Sequence, residues 1–217
     1  TEIIDGTLTT FTGANNGFVT TWYDQSGNNN NLQQQTAARQ PKLVDAGVVI
    51  LSNNKPTINF VDGNSHYFIQ TQNLNPSEAE HFLVVENSSY PQGNQGNTGL
   101  YNYGSGINTH YSWTDSKIYD SFGTTSRKDG LIPPETLAKL NLYNVLSKPS
   151  EWSARLNSTQ FYTANNNTVG FNNSQQTLGN TNYNYLGKIS EFIIYPTDQI
   201  ANRTGIETNI NTEYTIY

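Results

Sequence analysis

The stretch Phe18 to Leu32 reads Phe-Val-Thr-Thr-Trp-Tyr-Asp-Gln-Ser-Gly-Asn-Asn-Asn-Asn-Leu. A segment carrying two adjacent aromatics runs straight into a polar turn that ends on Gly27, a residue free to take positive φ. Read as a strand over 18–24, it places Phe18 and Trp22 on one side and Val19 and Tyr23 on the other. Asp24 and Ser26 suit hydrogen bonds to the amides of their own turn. Two more marks follow: Lys55-Pro56-Thr57-Ile58-Asn59-Phe60-Val61-Asp62-Gly63, and Leu186-Gly187-Lys188-Ile189-Ser190-Glu191-Phe192-Ile193-Ile194-Tyr195. Short apolar runs bounded by polar turns point to antiparallel sheets.

The remainder of the chain keeps that rhythm. Segments 57–61 and 67–71 read as short strands joined by a hairpin at Asp62-Gly63. Segment 81–86 is apolar on both sides, Leu83 and Val85 against Phe82 and Val84, so it should be a central strand. Strands are expected over 100–103, 110–114, 117–122, 140–146 and 160–163, with long loops over 87–98, 126–136 and 165–176. Segment 151–157 alternates, with Trp152, Ala154 and Leu156 inward and Glu151, Ser153 and Arg155 outward. Pro196 ends the 186–195 strand. Asp198 then suits an N-cap for the single convincing helix, 199–214, whose Ile206, Ile210 and Tyr214 share a face. The expected core includes Trp22, Leu83, Val85, Trp152, Leu156, Ile189, Ile193 and Tyr195.

Composition narrows the function. Only 13% of the 217 residues are charged, so solubility rests on Asn, Gln, Ser and Thr, a surface suited to sugars or other proteins. The net charge of -6 argues against nucleic acid and against an anionic membrane surface. No apolar run is long enough to cross a bilayer. Apolar residues make up 34%, but 14 Tyr and 9 Phe offer large areas to bury. There is no cysteine, hence no disulfide framework, and no methionine, so an excised or processed piece of something longer is expected.

In order and separation the three marks resemble the concanavalin A-like, or laminin G-like, β-sandwich domains of bacterial and phage surface proteins. The Trp-Tyr-Asp-Gln-Ser-Gly turn is also similar to one in the catalytic domain of fungal α-L-arabinofuranosidase B. The resemblance runs from about Asp5 to the end. It implies an all-β fold: a two-sheet antiparallel jelly-roll sandwich with one C-terminal α-helix, forming a single domain over 1–217. Relatives carry an additional strand before the segment matching 5–10. An upstream segment or a neighbouring chain is expected to fill that place. The arabinofuranosidase likeness implies a general acid just after a Leu-Gly step, where this chain has Leu178-Gly179-Asn180. It implies a nucleophile near 118–122, where Asp120 is the available carboxylate. The vicinal cysteines of that enzyme are absent, as is the Glu-x-Asp-x-x-Glu strand of the β-glucanases of this fold.

The histidines, His66, His81 and His110, lack metal-ligand spacing. No cofactor is expected. Calcium is the ion such sandwiches accommodate at loop rims, with Asp62, Asp115 and Asp120 as the candidates here. The best functional lead is the aromatic and amide group Tyr101, Tyr103, Tyr111, Trp113, Asn102 and Asp115, since sugars stack on aromatic rings while amides fix their hydroxyls. The expected function is a non-catalytic recognition or structural module, carbohydrate-binding, at a cell or virion surface. Its partners would be glycan and other parts or copies of a larger surface assembly. The alternative is a glycoside hydrolase of the same fold.

Overall fold

The computed structural model describes residues 3–61, 65–88, 90, 99–105, 108–172, 174–180 and 182–217. Two antiparallel sheets account for most of it. The larger runs in the order Gly17–Phe18, Lys42–Asp45, Ile58–Phe60, Gly187–Tyr195, Ala79–Asn87, Asn141–Lys148, Glu151–Leu156 and Thr159–Ala164, with Val48–Val49 paired to Lys42–Asp45. The smaller runs Tyr101–Asn102, Thr177–Leu178, Phe68–Gln70, Leu32–Gln33 and Thr21–Trp22. Among the described residues there are two helices, α1 (Thr7–Thr12) and α2 (Arg203–Tyr214).

The Ala79–Asn87 strand is central because its sequence is apolar on both faces. One face places Leu83 and Val85 in the main core with Tyr143, Val145, Trp152, Ala154, Leu156 and Ile189. The smaller sheet contributes Tyr101, Leu178, Phe68 and Leu32 to the same core. The other face places Phe82 and Val84 under α2, where they meet Ile210 and Ile216. A buried ion pair fastens this helix region. Arg203 donates to both carboxylate oxygens of Glu80 at 2.6 and 3.1 Å, while Asn144 Nδ2 and the Gln199 amide donate to the same group at 2.8 Å each. Such a carboxylate is tolerable because every lone pair it presents meets a donor.

The opening turn folds as its residues demand. The Ser26 amide donates to Asp24 Oδ1 at 2.7 Å, the Asn30 amide to Oδ2 at 2.9 Å, and Gly27 sits at φ 85°. The strand before it, however, is split. Gly17–Phe18 pairs with the larger sheet and Thr21–Trp22 with the smaller, so the chain crosses between layers at 19–20.

Other expectations need correction. Ile58–Phe60 and Phe68–Gln70 belong to different sheets, so they form no hairpin; Asp62 and Gly63 lie outside the described residues. The expected loop 126–136 contains the Lys128–Leu131 strand paired to Ile118–Asp120. Segment 110–114 is held by isolated bridges at His110 rather than a strand. Helix α1 is built largely of threonines, poor helix formers, and α2 begins at Arg203 after a turn in which the Ile200 amide donates to Asp198 Oδ1 at 2.8 Å. Trp22, Ile193 and Tyr195 are only partly buried: Trp22 borders the main core, and the other two lie under α2. Ser153 points to the outer face as expected, yet α2 leaves it buried.

These burials set the cost of truncation. Trp152 is fully buried and its indole N–H donates to the Phe122 carbonyl at 3.0 Å. Trp152→Ala should therefore cost about 3–5 kcal/mol, and Ile193→Ala, at a partly covered site, less than about 2 kcal/mol. Urea unfolding midpoints of the two variants should fall in that order.

A candidate glycan groove on the smaller sheet

Register decides which side chains the smaller sheet shows to solvent. Asn102 pairs with Thr177, Thr177 with Ile69, Ile69 with Gln33 and Gln33 with Thr21, so this row shares one face. The adjoining row of Tyr101, Leu178 and Phe68 is fully buried on the other face. Asn102 and Thr177 therefore open outward into a groove of about 390 Å³, also lined by Arg39, Ser65, Tyr67, Ser174, Gln175, Asn180 and Asn182.

The chemistry of this groove is that of neutral hydrogen bonding. Four amide side chains (Asn102, Gln175, Asn180 and Asn182) line it, and no carboxylate does so among the described residues. Asn180 Nδ2 donates to Asn184 Oδ1 at 2.9 Å, and the Thr177 hydroxyl donates to the Asn180 carbonyl. Arg39 Nη1 donates to the Tyr67 hydroxyl at 3.0 Å, with the guanidinium carbon 5.8 Å from the ring centre. Each amide offers both a donor and an acceptor, which matches the double role of a sugar hydroxyl.

Beside the groove lies an aromatic cluster. The residue after Asn182 is Tyr183, whose ring is 5.4 Å from Trp113 and 5.2 Å from His110; Trp113 and His110 are 4.4 Å apart. Trp113 and Tyr183 are partly exposed. Arg127 lies 5.0 Å over the ring of Tyr119, and Asp115 accepts from the Tyr119 hydroxyl at 2.8 Å.

The six residues singled out in the sequence thus go to different places. Asn102 lines the groove, Trp113 belongs to the aromatic cluster, and Asp115 is exposed beside Tyr119. Tyr101, Tyr103 and Tyr111 are fully buried, so they cannot stack on a ligand at the surface. Their burial follows from the strand period: with Asn102 outward, Tyr101 and Tyr103 must face the core. The Tyr103 hydroxyl donates to Gln70, and Tyr111 packs 5.2 Å from Tyr143. Arg39, Tyr67, Gln175 and Asn182 are among the groove residues that sequence reasoning passed over. Only cross-strand pairing brings these distant positions together.

Asp120 is fully buried and lines no groove. It accepts from Tyr101 at 2.6 Å, from Tyr143 at 2.7 Å and from the Phe122 amide at 2.7 Å. Burial raises its carboxyl above the ordinary value, and these three donors pull the other way. Tyr101 donates its single proton to Asp120, so it accepts from His81 Nε2 at 2.9 Å, which leaves His81 Nδ1 bare. The oxygens of Asp120 and Asp115 face hydrogen-bond donors of the chain itself. Asp62 lies outside the described residues, and among those described no three His, Asp or Glu side chains converge on a metal position.

A larger groove of about 640 Å³ separates α2 from the outer face of the 151–164 hairpin. Many of its side chains are engaged locally, although Arg155 Nε and Glu207 Oε1 are buried without a partner among the described residues. Arg203 is committed to Glu80, Arg155 donates to Gln160 at 2.6 Å, and Thr208 and Thr212 bond to carbonyls of their own helix. The side-chain oxygen Oδ1 of Asn211 accepts the Ile216 and Tyr217 amides. The smaller groove, by contrast, leaves the side-chain amides of Asn102, Gln175 and Asn182 without a partner among the described residues.

No family model and no curated protein matches the chain. Its fold is similar to that of a GH54 α-L-arabinofuranosidase (TM-score 0.63, 17% identity, 95% of this chain and 53% of that one). It is also similar to the binding domain of Paraclostridial Mosquitocidal Protein 1 (TM-score 0.59, 15% identity, 88% and 49%). A third neighbour is a Bacteroides ovatus protein assigned carbohydrate binding (TM-score 0.53, 12% identity, 71% and 47%). The chain thus spans about half the length of these neighbours. At such identities the likeness establishes a β-sandwich fold, one that serves both enzymes and binding domains.

The buried network has a consequence for pH. Burial pushes the His81 ring down to about 3, well under its ordinary value of 6.5. Above pH 6.5 the ring is neutral whether folded or not. Below it the unfolded chain takes the proton first, so stability falls by up to about 1.4 kcal/mol per pH unit from this one group. His81→Phe removes that loss. Thermal melts at pH 7 and pH 4 should show a smaller drop for the variant than for the native chain, and equal drops would contradict the burial.

Proposed function

We propose that the chain is a non-catalytic glycan-recognition module of an extracellular surface protein, and that the groove over the smaller sheet is its binding site. One observation carries this reading. A groove of small-ligand size is lined by unengaged amides beside partly exposed aromatic rings, and no described carboxylate reaches it. Amides of Asn102, Gln175 and Asn182 would read hydroxyls, while Trp113 and Tyr183 would offer ring faces to sugar C–H groups.

The second reading, a glycosidase of this fold, draws support from the arabinofuranosidase neighbour, whose match covers 95% of the chain. Glycoside hydrolysis generally needs a proton donor with a raised pKa and a second carboxylate across the scissile bond. The resemblance aligns Asn180 with the acid of that family, and an amide does not donate a proton at neutral pH. Asp120, nearest in sequence to the family's nucleophile, is sealed in the core. Both facts weigh toward binding without cleavage.

The test combines binding and turnover. NMR titration of the protein with arabino-, xylo- and galacto-oligosaccharides should move the side-chain amide signals of Asn102 and Asn182. Losing two hydrogen bonds of about 0.5–1.5 kcal/mol each, the Asn102→Ala/Asn182→Ala variant should bind about 5- to 150-fold more weakly. Incubation with 4-nitrophenyl α-L-arabinofuranoside should release no 4-nitrophenol. Turnover abolished by Asp120→Asn would establish the hydrolase instead.

A further inference from the structure

The protein is acidic, with 17 Asp and Glu against 11 Lys and Arg, and its cations are mostly paired. Among the described residues eight of the eleven lie within ion-pair distance of a carboxylate. The remaining three differ in setting. Lys128 is 8% exposed, and Arg155 donates to Gln160 beneath α2. Arg39 is exposed and lines the carboxylate-free groove.

Its placement is built rather than incidental. Arg39 ends a short 3-10 turn, Ala37–Arg39, whose following backbone carries on toward Pro41 and the Lys42–Asp45 strand. The Tyr67 hydroxyl accepts from Nη1, and its ring lies beneath the guanidinium, so the head group is steered over the groove. Nε and Nη2 have no partner among the described residues. That leaves one edge of the fork free, the edge that takes two oxygens of a single anion. In a chain of net charge -6, a lone cation set among neutral amides marks the place where a ligand's negative charge would sit.

Resting on the glycan-recognition reading, we propose that the groove selects an acidic saccharide, a carboxylate-bearing sugar such as a uronic or sialic acid. The ligand's carboxylate meets the free edge of Arg39, and its hydroxyls meet Asn102, Gln175 and Asn182. Tyr67 positions Arg39 and does not itself read the sugar. A neutral sugar would leave the guanidinium solvated and forgo the charged contact, so selectivity comes from Arg39 and general affinity from the amides.

The experiment is calorimetric titration of the whole chain with matched acidic and neutral oligosaccharides: trigalacturonate against galactotriose, and sialyllactose against lactose. At least one acidic member should bind ten-fold or more tightly than its neutral match, and that advantage should shrink between 50 and 500 mM NaCl, as screening requires. Arg39→Ala should erase the preference and leave residual binding shared with the neutral match. Arg39→Lys should keep part of it, because a point charge attracts the carboxylate without the two-point grip. Tyr67→Phe should weaken the acidic ligand alone. Unchanged melting temperatures would confirm that these surface variants fold. Equal binding of acidic and neutral members, or a preference that survives Arg39→Ala, overturns the acidic assignment while the glycan reading stands. Binding of neither class overturns both.

Discussion

The carboxylate of Asp120 joins the two layers of this sandwich. One of its oxygens accepts from Tyr101, on the smaller sheet, and from Tyr143, on the larger, while the other is held by the Phe122 amide. A charged group so deep in a core is tolerable only when its donors are in place. Both sheets must therefore be correctly registered before this site is satisfied. His81 extends the network from the central strand, and the rings of Phe122 and Phe192 close around it at 4.6 and 5.8 Å. Once Tyr101 is drawn inward, its neighbour Asn102 must face solvent. The polar groove and the core are thus two consequences of one strand's alternation.

The same division explains how a chain with only 34% apolar residues sustains two sheets. Tyrosine supplies the missing volume, and all but one of the fully buried tyrosine hydroxyls find an acceptor, that of Tyr111 having none among the described residues. Tyr101 and Tyr143 find Asp120, Tyr103 finds Gln70, and Tyr185 donates to the Glu86 carbonyl at 2.7 Å. On the opposite layer, α2 buries Phe82 and Val84 and is latched by the Glu80–Arg203 pair. That helix occupies the face of the larger sheet, which leaves the outer face of the smaller sheet as the open polar surface.

A β-sandwich of this kind does not dictate activity, as the enzyme and the binding domains among its structural neighbours illustrate. The difference lies in which side chains the loops and outer rows present. Around the smaller groove the described residues present amides, hydroxyls, the Arg39 guanidinium and a flanking aromatic cluster.

Several features were legible without a structure because they depend on short-range periodicity. The two-faced apolar pattern of 82–85 required a central strand, and the alternation of Trp152, Ala154 and Leu156 required those side chains to be buried. The Asp24-Gln25-Ser26-Gly27 turn is closed by its own side chains, so its residues sufficed to read it. What pairs with what was not legible. The 57–71 segment looked like a hairpin because its neighbours in sequence are strands, yet long-range hydrogen bonding sends them to opposite sheets. Aromatic residues 101, 103 and 111 looked like a binding face because composition cannot tell inward from outward. That choice was made by the register of Tyr101–Asn102 against Thr177–Leu178 and by the buried carboxylate that receives Tyr101. The sequence alone therefore determined the fold class, since alternation is local. Only the tertiary structure could place Arg39, Asn102 and Asn182 in one groove, because residues so far apart along the chain meet only through sheet pairing.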